Sequence, residues 1–183
     1  MEGEDRLLVE RARAGEEGAF EDLVRKHQAP LYYFTLRFVR DEQAAADLAQ
    51  NTFLRAFKGL QGFQQEASFK TWLYRIAINL SKNYLRDRGK KGHVSSEGID
   101  PPSYSSNPLQ ELIDHEEQRL LAQACEQLPE RQRLTVTLKV QEGMKYREIA
   151  DILGCSVGAV KANFHHACMK LREIIREGKD EMS

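Results

Sequence analysis

Residues 147–172 read REIADILGCSVGAVKANFHHACMKLR. Ile149, Ala150 and Leu153 mark one face of a short helix, and Gly154, Cys155 and Ser156 make a tight turn. Val160, Phe164, Ala167 and Leu171 then recur at four, three and four along a longer helix. A small residue (Ala150), a turn glycine four residues on (Gly154) and a branched apolar residue six further (Val160) let two helices cross closely. The pattern predicts a helix-turn-helix, whose second helix fits a DNA major groove. Ser156 suits the N-cap of that helix and leaves its first amides for a phosphate. Lys161, Asn163, His165 and His166 are its polar groups. Asn suits an adenine edge, and Lys a guanine or a phosphate. Two short helices around a glycine also occur in proteins that bind no DNA, where such histidines are plain surface groups.

The rest of the chain must say what the DNA contact is for. Net charge is -1 over 183 residues, but it is unevenly spread. Residues 1–92 hold 16 Lys and Arg against 13 Asp and Glu, residues 93–126 hold 1 against 7, and residues 127–183 hold 10 against 8. Two mildly basic parts flank an acidic middle. Neither is basic enough to hold DNA tightly by charge alone. Either the affinity is borrowed from a larger partner, or the protein does not bind DNA.

Residues 5–92 read as helical almost throughout. Phe20, Leu23, Val24, His27 and Leu31 fall on one amphipathic face. Pro30 marks a break or the first turn of a new helix. Asp41 suits the N-cap of a helix whose stripe is Ala49, Phe53, Ala56 and Leu60, with Gly59 and Gly62 bracketing its end. After a polar loop, Gln61 to Ser68, Ser68 suits the cap of a third helix. Its apolar face is assigned to Trp72, Leu73, Ile76, Ala77, Leu80 and Tyr84. Its other face carries Arg75, Asn79, Lys82 and Arg86, continued by Arg88, Lys90 and Lys91. That ridge is either an ordinary solvated surface or a contact for phosphates and bases.

Residues 89–108, GKKGHVSSEGIDPPSYSSNP, hold three of the five prolines and have no apolar periodicity. They read as a flexible linker. A second helical part begins with Leu109, Ile113, Leu120 and Ala124 and passes through Pro129 to a helix with Leu134 and Leu138 inside, ended by Gly143. The expected fold class is all-α, in two small helical domains joined by a flexible linker. The boundaries are 5–92, a linker at 93–108, and 109–177, the last a helix-turn-helix domain.

No run of eighteen apolar residues predicts a membrane span, and the acidic start MEGEDRLL is no signal segment, so a cytoplasmic protein is expected. Cys125, Cys155 and Cys168 form no CxxC pair and read as small buried or half-buried residues. Cys168 with His165 and His166 lacks the further ligands of a metal site. The acidic pairs Asp114–Glu117 and Glu116–Glu117 read as a solvated helix face. The histidines have no carboxylate at useful spacing. No enzyme, no catalytic residue, no metal and no cofactor are expected.

Three stretches carry a resemblance. Residues 47–57 (DLAQNTFLRAF), 69–86 (FKTWLYRIAINLSKNYLR) and 128–172, from LPERQR through the helix-turn-helix, are similar to the extracytoplasmic-function group of the bacterial sigma-70-like RNA polymerase sigma factors. The resemblance covers about residues 5–175. It implies a protein that joins core RNA polymerase at the β′ clamp helices and the β flap, and binds promoter DNA. It further implies control by an anti-sigma factor, no small-molecule substrate and a monomer when free. The first domain then reads and melts the -10 element. Phe63 and Asn79 fall where the family captures a flipped base, Arg75, Lys82, Asn83 and Arg86 where it holds the strand, and Tyr74 near the ridge. Trp72 and Tyr74 match family positions at the start of that helix, with Trp72 assigned to the core. Asp47, Leu48, Gln50, Phe53, Arg55 and Ala56 fall at the polymerase contact, with Asp47, Gln50 and Arg55 as its surface groups. The second domain reads the -35 element through Ser156, Lys161, Asn163, His165 and His166.

Three features depart from the family pattern. Asn51 replaces a usual Glu, Lys145 stands where Ser or Thr often caps the first motif helix, and the recognition helix is poor in arginine. Two other readings fit part of the chain. A conventional helix-turn-helix regulator of duplex DNA accounts for residues 145–172 but not for the ridge of Arg75, Asn79, Lys82 and Arg86. A decoy that binds an anti-sigma protein without transcribing accounts for the weakly basic recognition helix.

Overall fold

The computed structural model describes residues 2–90 and 123–181. The described residues fall into two compact helical units, one mainly within residues 2–90 and one mainly within 123–181. Each is described by itself. Among the described residues no helix is long and apolar enough to cross a membrane.

The first unit has four helices: α1 (Glu2–Arg13), α2 (Ala19–Val39), α3 (Glu42–Gly59) and α4 (Phe69–Lys90), with a 3₁₀ turn at Leu60–Gly62. Gly15 and Gly18 take positive φ, 82° and 83°, in the bend between α1 and α2. Helix α2 continues through Pro30, where the sequence predicted a break or the first turn of a new helix. Pro30 lies on the exposed face. Beyond it Leu31, Phe34, Phe38 and Val39 are all buried in register with Leu23 and His27. Burying these side chains is worth about 1.5–3 kcal/mol each, which outweighs the roughly 3 kcal/mol a helical proline costs. Arg40 ends α2 in the left-handed region, its N–H donating to Leu36 O at 2.8 Å.

Asp41 caps α3 as predicted, accepting from the Ala44 N–H at 2.9 Å. The stripe Ala45, Leu48, Ala49, Phe53 and Ala56 is buried. Gly59 does not end the helix in a left-handed turn, since its φ is -89°. A Cβ there would stand 3.3 Å from the Trp72 indole, so a larger residue would push that ring by a few tenths of an ångström. Ser68 caps α4, accepting from the Thr71 N–H at 3.1 Å. The buried face of α4 is Phe69, Leu73, Tyr74, Ala77, Ile78 and Ser81. Trp72, Ile76, Leu80 and Tyr84 are half-buried at its margin, so the core side lies rotated from the predicted one.

In the second unit residues 123–126 are helical, followed by α5 (Glu130–Val136), a π-helical turn (Thr137–Gln141), α6 (Tyr146–Leu153) and α7 (Val157–Glu181). Pro129 is the N-cap of α5. Leu134 and Leu138 are buried as predicted, and Gly143 follows the π turn at φ 66°. Ala124 and Leu128 pack with Ala167 and Leu171, flanked by Cys125, Val136, Ile174 and Ile175. The linker 93–108 and Leu109, Ile113 and Leu120 lie outside the described residues.

Candidate nucleic-acid interface

Helix α4 presents Arg75, Asn79, Lys82, Asn83 and Arg86 to solvent. The apolar stripe on the opposite side fixes which way these groups point. Arg88, read from sequence as part of this ridge, turns back instead. Its guanidinium donates to Asp41 Oδ2 at 3.3 Å and to the Tyr84 hydroxyl at 3.4 Å. Tyr74 is not on the ridge at all. Its side chain is fully buried, 4.9 Å from the Phe34 ring, so a direct DNA contact for Tyr74 is withdrawn. The residue three places before Ala77 and four before Ile78 shares their buried side.

The loop before α4 is built around aromatic rings. Phe63 lies stacked on Trp72, centroids 4.5 Å apart at 17°, with Phe69 edge-on at 6.4 Å. Phe63 is only 7% exposed, so its ring is a wall rather than a free platform. Trp72 and Asn79 are seven residues apart, two turns on one face, or about 10 Å along the axis. The ridge therefore begins with Arg75, one turn from the Trp72 ring, and Asn79 lies one turn further along.

On the outer side of α3, Asp47, Gln50, Asn51 and Arg55 are exposed. Leu48, Phe53 and Ala56, which the resemblance puts at or near the polymerase contact, are buried at 7%, 8% and 0% and belong to the core, as the stripe through Phe53 and Ala56 predicted. The sequence reading missed Leu54 and Phe57, which are 51% and 59% exposed. Phe57 touches the Phe20 ring edge-on at 5.0 Å. Their signal was available: both are large apolar residues off the stripe of Ala49, Phe53, Ala56 and Leu60.

In the helix-turn-helix, Gly154 ends α6 at φ 62°, and Ser156 Oγ caps α7 by accepting from the Ala159 N–H at 3.1 Å. Lys145 leaves the start of α6 without a Ser or Thr cap. The Glu148 carboxylate compensates by accepting the Lys145 N–H at 2.7 Å. Ile149, Ala150, Val160 and Ala167 are buried, as is Ile152, which the sequence reading passed over. Lys161, His165 and His166 are exposed, Ser156 too, while Asn163 is half-buried. Lys161 Nζ sits 5.9 Å from the Tyr146 ring centre, and Lys139 Nζ 4.9 Å from it.

One pairing contradicts the sequence reading of the histidines. His27 Nε2 lies 2.9 Å from Asp5 Oδ2, and both side chains are buried. The partner is 22 residues away on another helix, beyond any local spacing rule. Burial pushes the His27 imidazole below its ordinary value, the Asp5 carboxylate pulls the other way, and Lys26 and Lys70 add to the fall. The three cysteines are free and half-buried, and burial raises the Cys125 thiol. Among the described residues no group of three His, Cys, Asp or Glu is placed to hold a metal.

Comparison with known proteins decides what carries this surface. Residues 23–91 match the family Sigma-70 region 2, and residues 118–171 match Sigma-70, region 4. The RNA polymerase sigma-H factor of Pseudomonas aeruginosa is 36% identical over 173 residues, covering 90% of each chain. The ECF RNA polymerase sigma-E factor of Escherichia coli K12 is 33% identical over 172 residues, covering 89% of this chain and 90% of that one. The chain belongs to the extracytoplasmic-function group of the sigma-70 family. As an alternative sigma factor it is a transcription factor and not an enzyme. The Bartonella quintana sigma factor RpoE, solved with the anti-sigma factor NepR, aligns at a TM-score of 0.72 and 25% identity, covering 87% of this chain and 98% of that one. The ridge and loop fall within the region 2 match, and both motif helices within region 4 up to residue 171. Helix α1 precedes the matched span.

Proposed function

We propose that this sigma factor joins core RNA polymerase through the outer face of α3, opens the -10 element on α4 and its preceding loop, and reads the -35 element with α7. The observation that carries the reading is the ridge of Arg75, Asn79, Lys82 and Arg86, exposed on α4 beside an aromatic loop. Cations hold a strand backbone without reading it, while an amide next to an aromatic wall suits an unstacked base. Asn79 takes the base edge and Phe63, held by Trp72, forms the pocket wall. Arg75, Lys82, Asn83 and Arg86 hold the strand.

At the polymerase contact Asp47, Gln50 and Arg55 supply the polar rim, and Leu54 and Phe57 take the anchoring role that the buried Leu48, Phe53 and Ala56 cannot. The β′ clamp helices are the partner on this face, and the β flap meets the second domain. At -35, Ser156 and the first turn of α7 meet a phosphate, and Lys161, Asn163, His165 and His166 face the groove. The domain limits follow the same division: 5–92 for polymerase and -10, 109–177 for -35, and 93–108 between. An anti-sigma factor is a further partner, as in the solved RpoE complex, and it competes for the exposed Leu54 and Phe57.

The test is promoter opening. Holoenzyme with the wild-type chain makes thymines of the -10 element reactive to permanganate, and Asn79→Ala reduces that reactivity by at least tenfold at equal core occupancy. Equal reactivity would remove Asn79 and the adjoining loop from the melting site.

A further inference from the structure

We infer that α1 braces the loop Gln61–Ser68, and that Arg13 is the positioning residue that holds it in its base-capturing shape. The inference rests on the proposed role of that loop. The Arg13 guanidinium donates to the Gln61 carbonyl at 3.2 Å and to the Phe63 carbonyl at 3.5 Å. In return the Gln61 side-chain amide donates to the Arg13 carbonyl at 3.1 Å. That carbonyl is in the last turn of α1, where helix carbonyls lack intrahelical donors. Helix end and loop therefore satisfy each other's backbone groups. The planar fork of Arg spans two carbonyls, which a Lys ammonium does not match.

The loop needs holding. Gln65 sits at φ 56°, one of two non-glycine residues with positive φ among those described. A side-chain-bearing residue there is strained and persists only where its surroundings enforce it. The Ser68 cap fixes the far end of the loop, and Arg13 fixes the near end at the carbonyls of Gln61 and Phe63.

The brace is itself anchored. Asp5 of α1 is 7% exposed, and its carboxylate meets His27 Nε2 at 2.9 Å and Lys26 Nζ at 2.7 Å on α2. Lys26 also reaches Glu4 at 2.6 Å. Arg11 clasps Glu16 and closes the turn after α1. A strut fixed at both ends sets the loop's position relative to α2 and α4. Arg13 is exposed, so its removal leaves carbonyls that water can satisfy and a fold that persists. What falls is the fraction of molecules with the loop in its binding shape, and apparent affinity falls in proportion.

The experiment uses holoenzyme assembled from core polymerase with the wild-type chain, Arg13→Ala, Arg13→Lys or Asn79→Ala. The probes are the single-stranded non-template -10 strand of a promoter the protein transcribes, and the same strand made abasic at the captured base. Arg13→Ala weakens binding of the intact strand by about 3- to 10-fold and leaves the abasic strand, core assembly and thermal stability near wild type. Arg13→Lys, which keeps the charge, behaves like Arg13→Ala on the intact strand. Three results would overturn the inference. Arg13→Ala binding both strands like wild type, while Asn79→Ala still weakens the intact strand, rejects the brace and keeps the loop's role. Equal losses on both strands, or a wild-type Arg13→Lys, make Arg13 a simple phosphate contact. If Asn79→Ala and the abasic strand both bind normally, the loop captures no base and the brace falls with it.

Discussion

Leu54 and Phe57 should anchor core polymerase, and truncating them should cost affinity with little cost in stability. Phe57 keeps 59% of its surface exposed and Leu54 51%. Full burial of such a side chain is worth about 1.5–3 kcal/mol, so the exposed portions leave roughly 1–2 kcal/mol for Phe57 and a little less for Leu54 to gain on docking. Phe57→Ala is then expected to raise Kd for core about 5- to 30-fold, and the double variant with Leu54→Ala about 20- to 500-fold. The folding cost of Phe57→Ala is the edge contact with Phe20, about 0.5–1.5 kcal/mol. Phe53→Ala is the contrast: its ring is buried, and its loss is expected to cost about 3–5 kcal/mol of stability. Titration of labelled protein with core polymerase, beside urea unfolding, separates the two effects. A double variant of Leu54 and Phe57 that binds core with wild-type Kd would refute the assignment of this face. So would one whose affinity loss merely follows its loss of stability.

Three further outcomes are expected. Because burial holds His27 below its unfolded value, the unfolded chain takes up a proton that the folded chain resists as pH falls below about 6.5. Stability therefore drops from there through the lower native value, and the urea midpoint of wild type should fall more between pH 7.5 and 5.5 than that of His27→Gln; parallel falls would reject the buried-imidazole account. Tyr146→Leu removes the ring under Lys161 and should weaken -35 duplex binding by about 2- to 5-fold, with no further loss in a Lys161→Ala background. A full additional loss in that background would mean Tyr146 acts independently of Lys161. Gln65→Val is expected to destabilise by about 1–3 kcal/mol because a β-branched residue fits poorly at positive φ, while Gln65→Gly stays within about 1 kcal/mol. Equal urea midpoints for the two variants would contradict the left-handed conformation.

Local chemistry was legible in the sequence wherever its cause was local. Asp41, Ser68 and Ser156 cap the helices they precede because the acceptor and its amide lie three residues apart. Gly154 takes the left-handed turn that only a glycine fills freely. Features set by tertiary packing were not legible. Pro30 gives a strong local stop signal, and only the continuous core on the other face of α2 overrides it. On α4, Trp72 looks like a core anchor by size, but its large ring lies at the margin against Gly59 and Phe63, and Tyr74 takes the interior. On α3 the stripe through Phe53 and Ala56 was legible, but the large apolar residues off it, Leu54 and Phe57, were not picked out as surface. The Asp5–His27 pair and the Arg13 bridge to Gln61 and Phe63 join residues 22 and 48–50 apart. No periodicity records such contacts.

The central claim is that this chain starts transcription only as part of polymerase, through the ridge on α4. Run-off transcription with purified core, on genomic promoter fragments, tests it most directly. The account predicts transcripts that need both core and this protein, and that fade with Asn79→Ala while core binding holds. Absence of transcripts, with the protein instead binding duplex DNA alone as a dimer, would contradict it.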